Sequence, residues 1–506
     1  MSLLFHFPLS PSILILFFVI LILITFKRLS STSEYHKNKP PSPRKLPIIG
    51  NLHQIGSNPH RSLRALTLKY GPLVLIQLGS VPVLVASSAE AAREILKTHD
   101  VLFASRPKLS ITHALTYGSK DIAFSPYGEY WRQVRSIAVL QLLSSKRVQS
   151  FRHVREEETR EMIHKIGKSC GSVVDLGELL NLLTNNLICR VSLGRTYQGA
   201  EFNDLLVRFT YLLGSFSVGN YIPWLSWVDR LSGLEGRTKK VAEEFDEFLE
   251  RVLEEHIDKK NTVDDDFGGT NDAGQDLVDI LLDVQRENTT NFILHRDVIK
   301  AAIMDLFAAG TDTTSTAIEW AISELIRHPR VMKKLQQEVR EISQGKPAIT
   351  EDDLEKMKYL QAVLKETMRL HTPLPLLISR ESTQYVKLMG YDIAAGTQVI
   401  INAWAIGRDP SQWEEAETFR PERFLNSSID YKGLNFEFIP FGAGRRGCPA
   451  IQFAVVINEL VLANLVNNYD LALPDEVRGE EIDMSEITGL TLHRNAPLLV
   501  VATPRF

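Results

Sequence analysis

Residues 438–450 read FIPFGAGRRGCPA, and the fold of the whole chain turns on them. Gly442, Gly444 and Gly447 crowd around Cys448, one of only three cysteines in 506 residues. Arg445 and Arg446 place positive charge just before the sulfur. The apolar run FAVVINELVLANLV after it predicts a helix whose free N–H groups turn back toward it. Both influences favour a thiolate over a thiol. The glycines admit unusual dihedrals and let backbone approach a flat object. Three readings stay open on these residues alone. One is a thiolate ligand to haem iron. Another is a cysteine nucleophile, which needs a base and an orienting group that sequence does not locate. The third is a structural turn.

Working outward, AAGTDTTS at 308–315 sits in the middle of an apolar helical pattern expected from Asp297 to His328. Ala309 and Gly310 leave room beside that helix for a bulky plate or a substrate. Asp312 and Thr313 put an acid beside a hydroxyl, as a proton relay to bound dioxygen would need. The competing reading is a small-residue crossing of packed helices. Glu366 and Arg369, in KETMR, share a helix face and can pair. Trp131 and Arg135, in WRQVR, also share a face, where a ring and a guanidinium could hold a carboxylate-bearing cofactor.

The totals bound the rest. Hydrophobic residues make up 44% of the chain, enough for a large core, and the net charge of -4 excludes nucleic acid as a general partner. Cys170, Cys189 and Cys448 are far apart, which excludes a disulfide framework and a cysteine-built zinc site. Residues 1–26 carry no charged side chain, and ILILFFVILILITF at 13–26 runs into Lys27 and Arg28. That length suits a membrane-crossing helix. The absence of a basic start and of a small-residue cleavage site favours an uncleaved anchor over residues 1–28. Lys37, Lys39, Arg44 and Lys45 follow, so the positive-inside tendency places the body in the cytosol. PPSPRKLPIIGNLHQ at 40–54 predicts a stiff strap, closing a basic, proline-rich linker over residues 29–50 with a turn near Gly50.

Behind the linker, residues 51–506 read as one mainly helical domain with a minor strand component. LVLIQLGSVPVLVA at 73–86 predicts two strands split at Gly79 and Ser80. Helices are expected near 330–343 and 351–371, short strands between 374 and 402, and a returning hairpin near 490–503. The polar stretch 261–275 reads as an exposed loop. No tandem repeat and no phosphate-binding loop of the GxxxxGK type occurs.

Taken in order, these motifs resemble the plant microsomal cytochromes P-450 of the A-type. FGAGRRGCPA at 441–450 resembles the family's haem-binding loop and AGTDTT at 309–314 its oxygen-activation motif. KETMR at 365–369 and FRPERF at 419–424 resemble the Glu-x-x-Arg and meander motifs. The resemblance runs from anchor to tail. It implies the cytochrome P-450 fold, heme b with Cys448 as axial thiolate, and Phe441 packed near that sulfur. It also implies Trp131, Arg135 and Arg446 at the haem propionates, Asp312 and Thr313 as the distal pair, and Glu366, Arg369 and Arg423 as a buried structural triad. Substrate contacts are expected from Ile303, Leu306, Ala309, Leu374, Leu376, Leu377, Ile378 and Leu490, with Asp305 the one acidic exception. The implied activity is monooxygenation, from O2, of a small lipophilic terpenoid or phenolic, coumarin-like plant metabolite. Its partners would be NADPH–cytochrome P-450 reductase, cytochrome b5 and membrane lipid, on the cytosolic face of the endoplasmic reticulum. Alternatives are oxidative rearrangement, dehydration or C–C cleavage on the same scaffold, a membrane-anchored thiol hydrolase or transferase, and a haem-binding protein without turnover. One departure stands out: relatives usually carry glycine where this chain has Ala450.

Overall fold

In the strand pair at residues 73–86, the pattern of apolar residues meets a turn that only glycine fits well. Gly79 has φ +57°, and a Cβ there would run into the Tyr221 carbonyl. Strands β1 (Leu73–Leu78) and β2 (Val81–Ala86) therefore pair antiparallel, Leu73 opposite Ala86 and Leu78 opposite Val81. This computed structural model describes residues 38–197, 200–264, 274–287, 293–474 and 477–505. The expected anchor, the first part of the linker and residues 265–273 of the expected loop lie outside them. Residues 261–264, read from sequence as loop, close a helix spanning Leu234–Asp264. The strap is docked: the Leu75 N–H donates to the Pro41 carbonyl, and Gly50 turns at φ +60°.

The elements that frame the cysteine loop are mostly helical. They are α1 (Glu129–Ile137), α2 (Leu176–Leu193), α3 (Arg296–Gly310), α4 (Asp312–Arg327), α5 (Lys358–Leu370) and α6 (Ile451–Asn468). Helix α6 is long and apolar enough to cross a membrane, yet it is largely buried in the protein core. Strand β3 is Val173–Asp175, β4 is Arg380–Glu381 and β5 is Gln398–Ile401. The main sheet runs β1-β2-β5-β4, with β2 and β5 parallel.

Further expectations need correction. The helix expected near 351–371 is split into Glu351–Leu354 and Lys358–Leu370. The helix expected over 297–328 breaks at Thr311. Thr313 Oγ1 donates to the Ala309 carbonyl, a competitor for the backbone ladder, and the flanking Thr311 N–H to Phe307 O bond is stretched to 3.4 Å. The terminal hairpin also lies earlier than expected. Strands β7 (Glu486–Thr488) and β8 (Leu492–Arg494) form it, after β6 (Tyr469–Ala472), while β9 (Leu499–Pro504) joins β3 and β6 in a second sheet.

Candidate active site

The cysteine loop is closed by its own backbone. The Cys448 N–H donates to the Phe441 carbonyl over 2.9 Å, so the intervening residues form a tight turn. Gly442 and Gly444 take φ +68° and +70°, and a Cβ on Gly444 would meet the Leu96 carbonyl. Gly447, by contrast, has φ -59°, which any residue adopts. The Ala450 N–H donates to the Cys448 sulfur at 3.4 Å. Burial pushes the thiol pKa up, and this N–H and the Arg135 guanidinium act against that shift. Arg445, expected to act on the sulfur, instead pairs with Asp100 at 2.9 Å. The departure at Ala450 is explained here. Its φ of -101° is ordinary for an L-residue, so the backbone does not call for glycine.

Above the sulfur lies a cavity walled mainly by apolar side chains. Leu306, Ala309, Leu374, Leu377 and Ile378 line it together with Thr313, Phe441 and Cys448. The other expected contacts are elsewhere. Ile303 is fully buried in the main core, Leu376 packs against the β1–β2 cluster, and Leu490 packs on the core beside Gly214. Gly310 also serves packing, since a Cβ there would sit 2.5 Å from Ile188 Cδ1 of α2. The small-residue motif thus does two jobs: Ala309 opens the cavity and Gly310 permits the helix crossing. Asp312 does not line the cavity. It points from the first turn of α4 toward His493 of β8, with 3.2 Å between Oδ1 and Nε2.

The cavity also gathers guanidinium groups. Arg135 and Arg446 were expected there; Arg106 and Arg380 were missed. Neither RPK at 106–108 nor SRE at 379–381 carries a local signature, and only the fold brings them in. Arg106 donates through Nε to Ala123 O and through Nη1 to Ile378 O and Ser379 O. Arg446 donates to the carbonyls of Ala104, Ile122 and Ser125 and stacks over Trp131 at 4.2 Å. Trp131 does not line the cavity; its Nε1 donates to Ile122 O and its ring supports Arg446 from behind. Arg135 donates to Gly447 O, and Arg380 to Asp100 and Ala443 O. Burial lowers all four of these groups, and repulsion from neighbouring guanidiniums lowers Arg106 and Arg446 further. Arg446 falls to about 9, and Arg106 falls well below its usual range. Arg380 falls to about 10 from burial despite its Asp100 partner.

Nearby carboxyls do not balance that charge. Asp100 is shared with Arg445, and Asp121 lies beside Asp305 of α3. Burial and the neighbouring Asp121 push the Asp305 carboxyl well above its ordinary value, and burial raises Asp121 as well. Burial and like charge thus work against two negative charges on this pair. A site with excess guanidinium, one cysteine and apolar walls suits a flat apolar group bearing two carboxylates. Haem meets that description.

On the far side of the loop, Glu366, Arg369 and Arg423 come together. Glu366 takes two bonds from Arg369 (2.7 and 2.8 Å) and one from Arg423 (2.9 Å), and the Arg420 N–H adds a fourth. The remaining Arg369 donors go to the carbonyls of Gly407, Ala416 and Thr418.

Comparison with known proteins agrees with this geometry. The Cytochrome P450 family model matches residues 40–500. A 3-beta-hydroxylase of Tanacetum parthenium is 58% identical over 492 residues, covering 97% of each chain. Norfluorocurarine oxidase of Strychnos is 54% identical, over 97% of this chain and 98% of its own length. Cytochrome P450 71A4 of Solanum melongena is 54% identical with the same coverage. A solved zebra fish cytochrome P450 with abiraterone superposes with TM-score 0.75 at 28% identity, covering 89% of this chain and 100% of that one. The chain belongs to the cytochrome P450 family. It is a haem monooxygenase of plant specialised metabolism, NADPH-dependent like its class, with a cysteine thiolate as the iron ligand.

Proposed function

We propose that this enzyme hydroxylates a small, lipophilic terpenoid or phenolic, coumarin-like metabolite, using electrons passed from NADPH by a separate reductase. The observation that carries this reading is the apolar cavity of Leu306, Ala309, Leu374, Leu377 and Ile378 directly beside Cys448 and Thr313. Burying a rigid hydrocarbon there is favourable by about 25 cal/mol per Å² of apolar surface. The hydroxylase of Tanacetum parthenium, similar over almost the whole chain, supports hydroxylation in particular.

Each residue then has a task. Cys448 holds the iron, and the Ala450 N–H withdraws some charge from its sulfur. Arg106, Arg135, Arg380 and Arg446 line the cavity and would meet the carboxylates of a bound haem, with Trp131 behind Arg446. Haem, when bound, supplies the activation of dioxygen. Thr313 offers a hydroxyl in the cavity wall to steer protons, and the apolar lining aims the substrate and excludes water. Glu366, Arg369 and Arg423 keep the loop's far side rigid. Retention of both Asp312 and Thr313 favours oxygen insertion over rearrangement, dehydration or C–C cleavage without dioxygen.

The apolar N-terminus and the basic residues after it support a single membrane span with the catalytic domain in the cytosol, and the enzyme is proposed to sit on the endoplasmic reticulum. Membrane lipid is then a standing partner, and cytochrome b5 a second electron donor. Microsomes carrying the enzyme and its reductase should convert a member of a terpenoid and phenolic library to a product heavier by one oxygen atom, only with NADPH. No such product from any member would contradict the reading. Thr313→Ala should keep its haem and release more peroxide per product; unchanged coupling would remove Thr313 from the account.

A further inference from the structure

Asp312 is the residue whose placement departs most from expectation. Its neighbour Thr313 lines the cavity, whereas the Asp312 carboxylate leaves the cavity wall and meets His493. The His493 ring is bound at both nitrogens: Nε2 lies 3.2 Å from Asp312 Oδ1, and Nδ1 lies 3.1 Å from Thr316 Oγ1. The residues on either side of it are pinned. Leu492 donates its N–H to the Pro373 carbonyl, and its own carbonyl accepts from Trp320 Nε1 at 2.8 Å. Arg494 donates to Ser323 Oγ at 2.7 Å. The β7–β8 hairpin is thus fastened to α4 on both sides of His493, which fixes the ring against the helix break. The His493 side chain is 36% exposed and the Asp312 side chain 19%. His493 is therefore the more solvent-accessible member of the pair.

We propose that His493 is the positioning residue that returns protons from solvent to Asp312, so that Thr313, Asp312 and His493 form one relay across the break between α3 and α4. This rests on the monooxygenase reading above. The steps balance as proton transfers. The Asp312 carboxylate takes a proton from the His493 imidazolium and passes it toward the Thr313 side, which restores the carboxylate. The neutral ring then takes a proton from solvent.

The surrounding charges suit that role. His493 faces Asp312, Thr316 and Glu319 on α4 and has Thr491 and Arg494 beside it on its own hairpin. Burial lowers its pKa, but Asp312 and then Glu319 outweigh this and raise it overall. Burial likewise raises Asp312, and bonds from His493 and Thr491 bring it below its ordinary value. Glu319 is itself raised by burial, despite Arg494 and His493. The ring therefore stays charged to higher pH than a free histidine and loses its proton as pH rises through that raised midpoint.

The test uses the full-length holoenzyme with reductase, as wild type, His493→Gln and Asp312→Asn. Histidine-labelled NMR, assigned by the signal missing from His493→Gln, should place the His493 midpoint above that of a free histidine. The midpoint should fall in Asp312→Asn. In wild type the ratio of peroxide to product should climb as pH passes that midpoint. In His493→Gln the ratio should be several-fold higher at low pH and nearly flat with pH, with a larger solvent deuterium effect on product formation. A His493→Gln enzyme with the wild-type ratio and pH slope overturns the proposal, as does one with a lowered melting temperature and an unchanged slope. If His493→Gln does not fold, a wild-type ratio that ignores the His493 midpoint overturns it as well. The carbon-monoxide spectrum of each sample keeps the readings apart. Without a thiolate-haem band the monooxygenase reading fails; with one and an unchanged slope, only the relay through His493 fails.

Discussion

Two sets of buried arginines flank the cysteine loop, and they differ in how their charge is met. Arg369 and Arg423 share the carboxylate of Glu366, and all five donors of Arg369 have acceptors. Arg106, Arg135, Arg380 and Arg446 crowd the cavity with carbonyls and one shared carboxylate, so burial lowers all four, and repulsion adds to it at Arg106 and Arg446. Burying a charge is costly unless it is paired. The balanced set therefore reads as architecture, and the unbalanced set as a place where anionic groups of another molecule complete the site.

Removing charge should then act differently on the two sides. Glu366→Ala strands two buried guanidiniums and should cost about 3–5 kcal/mol. Little folded holoprotein should be recovered, by haem content and thermal unfolding; a normal melting temperature would break the comparison. On the cavity side Arg135 makes the lightest structural contribution, one bond to Gly447 O. Arg135→Leu should weaken haem retention by roughly tenfold to a hundredfold, the worth of one charged hydrogen bond. The apoprotein should melt close to wild type. An equal loss in both forms would make this arginine architectural too.

A third cluster sharpens the contrast. Burial raises Glu324, but bonds from His328 and His371 overcome that and bring it to about 2. Its folded value lies below the unfolded 4.5, so its stabilisation is present above that pH and is lost as pH falls toward 2. Wild type should lose up to about 3 kcal/mol over that window, and Glu324→Gln should show a flatter acid limb in urea unfolding. The smallest effect belongs to Ala450→Gly. Because φ there is ordinary, haem content should not change and turnover should stay within a few fold. A large gain in haem retention would show that the methyl group is in the way.

The same contrast explains what sequence makes legible. Cys448, Phe441, Ala309 and Thr313 lie in short contiguous motifs whose spacing fixes their relation, and all four meet at one cavity. The strands at 73–86 are legible because the apolar runs and the Gly79 turn agree. Ile303, Leu376 and Leu490 do not line the cavity, because lining it depends on helix rotation and loop path, which an apolar residue does not reveal. Arg106 and Arg380 were missed because each is a lone arginine whose partners lie far away in the chain. Asp312 was placed on the right helix turn, but its direction is set by His493, 181 positions later. No local pattern carries that pairing.

The central claim is that Cys448 holds haem iron as a thiolate within this loop. The reduced, carbon-monoxide-bound absorption spectrum of wild type and Cys448→Ser tests it most directly. Wild type should show the strongly red-shifted Soret band of thiolate-ligated haem, and Cys448→Ser should lack it. A colourless wild-type protein, or an undiminished red-shifted band in Cys448→Ser, would contradict the account.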